Sequence, residues 1–327
     1  MTTVFQKDRI QILDFLRGFS LILIIFMNFF GLLQIPFIES DRDIRHIIDL
    51  IFKGKGYSIF SFLFGYGVYI FMNNLEGKGY SPYVFQLKRL LFLFLAGLLH
   101  SYLQPSEALK VYAVFGLLLL PVYKVHCRYI FAISFICLIG TTYMAAQYFG
   151  TLCMFFLGFG LSKLEIFSRF TDRKYTKEYL SLFIISSILS VIAYYWTYKY
   201  ITINNGFISK AQFISGLIQS VAYITGIILL YLNSDIFKKI FSHLNYFGRM
   251  AFTNYIVQSI LLYILNLIHP NTSVVHGIYA CIIILIVQLI YSKYYLLHID
   301  NIGPLEKLWR YFTYAKILNS KKDIENK

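Results

Sequence analysis

The stretch from Ile12 to Gly31, ILDFLRGFSLILIIFMNFFG, is long and apolar enough to cross a bilayer, yet it carries Asp14 and Arg17 near its start and Asn28 near its end. At about 100° per residue, Asp14, Ser20, Asn28 and Gly31 all fall within about 60° of Arg17 around a helix. A charge in hydrocarbon costs at least about 3 kcal/mol on insertion scales, so a lipid-facing helix has no reason to hold such a stripe. The helix is therefore expected to face the interior of a bundle, with its stripe lining a polar seam or a cavity. The plainer alternative for two of these residues is an Asp14–Arg17 ion pair at the membrane surface. That alternative leaves Asn28, three turns deeper, without an explanation.

The rest of the chain is similarly greasy. Of its 327 residues 58% are hydrophobic and only 14% charged, which excludes an ordinary soluble domain and indicates a polytopic membrane protein. The net charge of +14 does not indicate nucleic acid, because the basic residues cluster in short segments between apolar runs, the positive-inside pattern. Apolar runs fall near 10–33, 57–73, 89–104, 109–123, 129–147, 149–163, 179–200, 212–233, 247–268 and 276–297. With the N-terminus inside, the inner segments hold 22 of the 30 Lys and Arg and the outer ones seven. The expected fold is all-α: one integral-membrane domain of about ten transmembrane helices, with both termini cytoplasmic, in a bacterial inner membrane. Lys7 and Arg9 before the first run mimic a signal peptide, but no small-x-small cleavage site follows, so the run is expected to remain as the first span. Cys127, Cys137, Cys153 and Cys281 have neither paired nor metal-ligand spacing, and no metal site is expected.

Other polar residues stand inside or beside the apolar runs. The second run places Ser58, Ser61 and Gly65 on one face, a helix-packing seam first, with Ser61 a nucleophile only if a base lies beside it. The third opens at Lys88 and Arg89, and its Gly97, His100, Ser101 and Gln104 share a face. His100 follows Arg89 at the same interval as Asn28 follows Arg17, so both should sit in the outer half. An intramembrane histidine is a functional candidate, with a buried structural histidine as the rival. Glu107, beyond a tight turn, could orient the imidazole, as carboxylates do for general bases, or be a surface carboxylate near Lys110. The ninth run opens GRMAFTNYIVQS, where Arg249 marks the cytoplasmic edge and Asn254 and Gln258 form a polar pair. Residues 34–55 read as an amphipathic segment over the outer surface, or as a lid. The segment GPLEKLWRYFTY reads as an amphipathic helix along the inner surface, with Trp309 and Tyr311 among the headgroups. Residues 125–235 read as scaffold.

Six pieces in order, LDFLRGFSLILIIFMN, GKGYSIFSFLFGYG, KRLLFLFLAGLLHSYL, YAVFGLLLL, GRMAFTNYIVQS and GPLEKLWRYFTY, resemble the YeiB family of bacterial membrane proteins, whose domain has no assigned function. The resemblance covers about residues 9 to 315. Where that family has Gly-Asp-Ile-Leu, this chain reads Ser106-Glu107-Ala108-Leu109. The family is in turn similar to transmembrane acyltransferases, including heparan glucosaminide N-acetyltransferase, through the first helix. Many O-acyltransferases have His at the place, three turns beyond the arginine, that Asn28 takes in this chain.

The resemblance implies acyl transfer from a cytosolic acyl-CoA, acetyl-CoA first, to a hydroxyl or amine on an envelope glycan or a small-molecule acceptor. In this reading Arg17, Arg249, Lys88 and Arg89 bind the donor's phosphates. His100, oriented by Glu107, takes the acceptor's proton, and Asn28 donates to the oxyanion. Asp14, Ser61, Gln104, Asn254 and Gln258 line the cavity. No permanently bound cofactor is expected. The partners are the bilayer, the acceptor and, in a homodimer, a second copy of the chain. A transporter of a small molecule or lipid-linked sugar, and a non-catalytic membrane scaffold, are the alternatives. The scaffold alternative requires Arg17, Asn28 and His100 to point into separate seams.

Overall fold

The computed structural model describes residues 11–105, 107–143, 146–166, 173–201, 205–240, 242–270 and 272–325. Lys7, Arg9 and Ser106, used above, lie outside them. The described residues form helices and no strands. In chain order these are α1 (Gln11–Leu32), α2 (Arg42–Phe52), α3 (Lys55–Glu76), α4 (Pro82–His100), α5 (Leu109–Leu118), α6 (Cys127–Tyr143) and α7 (Ala146–Lys163). They are followed by α8 (Thr176–Ile201), α9 (Asn205–Asn233), α10 (Asp235–Ile240), α11 (Ser242–Arg249), α12 (Ala251–Ile268), α13 (Val274–His298) and α14 (Pro304–Glu325).

The described residues of the ten apolar runs are helical over most of their length. Among the described residues, seven segments are long and apolar enough to cross a membrane: α1, the α2–α3 stretch, α4, parts of α8 and α9, α12 and α13. Leu109–Leu118 and Cys127–Thr141 are shorter apolar helices.

The first helix is the hub, as its polar stripe requires. It packs against α3, α11, α12 and α13, and Leu16, Leu21, Ile25 and Phe29 on it are fully or almost fully buried. By contrast α8 is apolar all round yet exposes Ile185, Ile188 and Val191, the surface a helix presents to lipid. Two close crossings fix the bundle. A Cβ on Gly65 of α3 would lie 2.1 Å from the Phe155 carbonyl oxygen of α7, and a Cβ on Gly158 of α7 would lie 2.0 Å from the Phe62 oxygen of α3. On the other side, a Cβ on Gly248 of α11 would lie 1.8 Å from the Asp14 carbonyl oxygen of α1. Only glycine lets these backbones touch.

Two of the differences from the apolar runs have a clear local reason. The third run's helix starts at Pro82, whose fixed φ suits a first turn, and ends at His100 rather than Gln104. Pro105 disfavours helical backbone at Gln104, and the chain turns over residues 101–103. The ninth run is broken at Met250 (φ −104°, ψ 31°) into α11 and α12. The Glu306 carboxylate satisfies the freed N–H groups at the break, accepting from Phe252 N at 2.8 Å and Thr253 N at 3.1 Å.

The C-terminal helix departs from its expected surface position in part. Leu308, Tyr311 and Phe312 are exposed, but Trp309 turns inward and donates its indole N–H to the Arg89 carbonyl at 3.0 Å. The amphipathic reading of residues 34–55 holds for α2, where Ile48 is buried and Ile47 and Ile51 are exposed. Arg45 ties α2 back by donating to the Pro36 carbonyl at 2.6 Å, with its guanidinium 4.6 Å from the Phe30 ring centre.

Candidate functional site

Helices α1, α3, α4, α12 and α14 do not close on one another along their whole length. Between them lies a cavity of about 850 Å³. Its wall follows the whole of α3, a rise of about 33 Å for a helix of that length, and α1 from Arg17 to Asn28, about 16 Å. The cavity therefore runs from the end of the bundle covered by α2 to the end covered by α14. Exposed Gln147 bounds it at the α2 end, and exposed Lys78 and Arg310 bound it at the α14 end.

The two ends differ in chemistry. The α14 end holds Arg17, Lys78, Arg89, Arg249 and Arg310 against one carboxylate, Glu306. Arg17 donates to Asp14 at 2.8 Å; the Asp14 side chain is almost wholly buried behind it, leaving the guanidinium partly exposed toward the cavity. Arg89 is held flat, its guanidinium carbon 4.0 Å from the Phe71 ring centre and 4.6 Å from that of Trp309. Arg249 donates to the Asn301 carbonyl at 2.8 Å. Burial pushes the Glu306 carboxyl above its usual value, opposed by hydrogen bonds from Thr253 and Phe252. Leu21, Ile24, Leu63 and Leu93 form an apolar middle. The α2 end is lined by the amides of Asn28, Gln104 and Gln147, by Tyr57 and Tyr112, and by Lys53, which is paired with Asp49 at 2.8 Å.

Of the residues singled out from the sequence, Arg17, Asn28, Arg89, Gln104 and Arg249 line this one cavity. The others do not. Lys88 points away, its ammonium 5.5 Å from the Phe85 ring centre. Asp14 sits behind Arg17, and Ser61 shares a 2.7 Å hydrogen bond with the Tyr112 hydroxyl rather than meeting a base. Asn254 bonds across to α13, donating to Ser292 Oγ at 2.9 Å and to the Phe247 carbonyl at 3.0 Å. Gln258 is buried beside that seam, with neither amide atom partnered among the described residues.

His100 and Glu107 lie close together, but one side chain behind the cavity wall and without the hydrogen bond by which Glu107 would orient the imidazole. Nδ1 of His100 is 3.8 Å from Oε1 of Glu107, beyond a hydrogen bond, and both side chains are essentially inaccessible. Glu107 instead caps α5, accepting from Leu109 N and, at 3.1 Å, from Lys110 N. Neither imidazole nitrogen has a hydrogen-bond partner among the described residues. The Tyr255 ring, which does line the cavity, stands edge-on to the imidazole with centroids 5.1 Å apart. Gln104 links the same region to α12 by accepting from Ser259 Oγ at 3.1 Å.

The sequence reading missed the tyrosines Tyr57, Tyr112 and Tyr255 and the α14 residues Glu306, Arg310, Thr313 and Tyr314, and it placed Trp309 among the headgroups rather than in the cavity wall. Tyrosines are too numerous here, 28 in all, for any one to stand out. The α14 residues had a readable signal: Glu306, Trp309, Arg310 and Thr313 recur at helical spacing, one face of a helix that covers something.

Comparison with known proteins agrees with the resemblance read from the motifs. Residues 9–183, more than half of the chain, match the family described as heparan-alpha-glucosaminide N-acetyltransferase, catalytic. Residues 161–316 match a protein family of unknown function, DUF418. An uncharacterized 39.9 kDa protein from the amylase 3' region of Bacillus acidopullulyticus is 33% identical, with 97% of each chain covered. The uncharacterized protein YxaH of Bacillus subtilis (strain 168) is 24% identical, covering 94% of this chain and 95% of its own. No solved structure matches the chain. The chain therefore belongs to the heparan-alpha-glucosaminide N-acetyltransferase catalytic family through its first half, and carries the DUF418 match in its second.

Proposed function

We propose that this protein is a transmembrane acyltransferase that moves an acyl group, acetyl in the first instance, from cytosolic acyl-CoA to a hydroxyl or amine of an envelope acceptor. The observation that carries this reading is the polarity of the cavity. One continuous space has five cations at one end and, apart from Lys53 in its ion pair with Asp49, neutral amides and phenols at the other. Such a space suits a donor with a polyanionic nucleotide at its head and a neutral thioester at its tip. In this reading the α14 end is cytoplasmic, ten helices cross a bacterial inner membrane, and both termini lie inside.

The chemistry assigned to the chain is acyl transfer. The acceptor oxygen or nitrogen attacks the thioester carbon, the carbon–sulfur bond breaks, and the acceptor's proton ends on the departing sulfur. Arg17, Arg89 and Arg249 hold the phosphates; Lys88, facing away, is dropped from that role. The Asn28 amide donates to the oxyanion, a contribution worth about 3 kcal/mol in comparable sites. His100 takes the acceptor's proton, with Glu107 as the carboxylate nearest its imidazole. Because Tyr255 stands between imidazole and cavity, the proton reaches His100 only if that phenol relays it or turns aside. The family match to an N-acetyltransferase catalytic domain supports the reaction class.

The test is transfer of label from radiolabelled acetyl-CoA to envelope material in membranes containing the protein. The wild type is expected to transfer, and Arg17→Ala and His100→Ala to lose at least about 90% of the rate. Equal transfer by both variants would sink the assignment. A transporter would also use a cavity of this height, but it would move label across vesicles without attaching it to an acceptor.

A further inference from the structure

Four glycines border the cavity wall, one just before α3, two on α3 and one on α11, and backbone conformation or close packing calls for glycine at three of them. Gly54 has φ 78°, which strains any side chain. A Cβ on Gly56 would meet Leu23 Cβ at 2.7 Å, and one on Gly248 would meet the Asp14 oxygen at 1.8 Å. Gly67 is different. A Cβ there meets a single atom within 4 Å, Nη2 of Arg17 at 3.6 Å, an ordinary contact. Its φ is helical, so neither packing nor backbone geometry calls for glycine at this position. What a side chain would occupy is the cavity itself, at the level where the cationic mouth passes into the apolar middle.

We infer that Gly67 keeps the neck of the cavity open, and that its missing side chain determines whether a thioester-bearing arm can pass Arg17 toward Asn28. The position is set by the helices around it. Gly67 falls close to midway along the chain between Phe52 and Lys78, the outermost lining residues of the α2–α3 stretch and the turn that follows it, so it lies near mid-height. Arg17 anchors charge on one side of it, and Leu63 and Phe64 begin the apolar wall one turn further on. A slender neutral arm fits such a neck, while a nucleotide is held back below it by the arginines. A bulky residue at 67 would divide the cavity into two chambers without disturbing a helix crossing. This inference rests on the acyl-transfer reading for the identity of the arm, but not for the existence of the passage.

The experiment separates the two. Asn28→Cys serves as a reporter above the neck, in a Cys127→Ser background, since the other three cysteines are buried. A small, membrane-impermeant anionic methanethiosulfonate, which the cationic mouth attracts, is applied to vesicles from the α14 side, and labelling rates are compared for Gly67, Gly67→Ala, Gly67→Leu and Gly67→Phe. Labelling is expected at similar rates for glycine and alanine, slower for leucine, and at least about tenfold slower for phenylalanine. Thermal unfolding in detergent checks that the variants fold, and alanine and leucine carry the comparison if phenylalanine does not. Rates independent of side-chain size, or no labelling with glycine in place, would overturn the neck. If labelling follows size but wild-type membranes transfer no acetyl group, the neck stands and the acyltransferase reading falls.

Discussion

Asn28 is the residue whose placement says most about chemistry. It stands in the cavity wall with no hydrogen-bond partner among the described residues, so its amide is available to whatever enters. Removing one preorganised donor of this kind costs about 3 kcal/mol, about a hundredfold in rate. Asn28→Ala is therefore expected to lower kcat for acetyl transfer about a hundredfold with little change in donor affinity; an unchanged kcat would take the amide out of the reaction. The sequence made this residue legible, along with Arg17, because polarity inside an apolar run has few explanations. His100 was equally visible, but its layer was not. Spacing gives an angle around a helix axis, and it cannot say that the Tyr255 ring, from a helix far later in the chain, stands in front.

At the scale of helices, the crossings and the cap carry the predictions. Gly158→Ala puts a methyl group 2.0 Å from the Phe62 carbonyl oxygen, so α3 and α7 must separate. Overpacking of this kind costs about 1–3 kcal/mol, and the variant is expected to unfold several degrees lower in detergent. Glu306 gives a pH signature. Burial raises its carboxyl above the usual 4.5, so the folded state holds that proton more tightly than the unfolded chain. The stability contributed by the neutral form is full below 4.5 and is lost as pH rises through the raised value. Glu306→Gln should remove that pH-dependent loss, visible as a flatter curve of melting temperature against pH, while Glu306→Ala leaves the Phe252 and Thr253 N–H groups unpaired and melts lower at every pH. Helix existence was readable from apolar runs throughout, whereas the break at Met250 was not. It depends on a carboxylate supplied by α14, beyond the whole of α13, and no local pattern reports it.

For the whole molecule, the proposed orientation is open to a direct check. Reporters fused at the two termini should both read cytoplasmic, and a cysteine introduced in α2 should label only from outside; reporters on opposite sides would refute the ten-crossing topology. The sequence conveyed the class of fold and the hub helix, since both follow from which side chains lipid rejects. It did not convey the cavity, which is the space left where five helices fail to meet and so belongs to no one of them.

The concentration of guanidinium groups at the α14 end has a consequence for the membrane that houses the protein. A water-accessible bore as tall as the bilayer would dissipate the ion gradients across that membrane. Fixed positive charge at the entrance repels hydronium, sodium and potassium, and an apolar constriction discourages a continuous thread of water. The same arginines assigned to phosphate would then also act as an electrical seal. Replacing Arg17 and Arg89 together by alanine is expected to raise passive potassium flux through proteoliposomes; an unchanged leak would show that the insulation lies elsewhere.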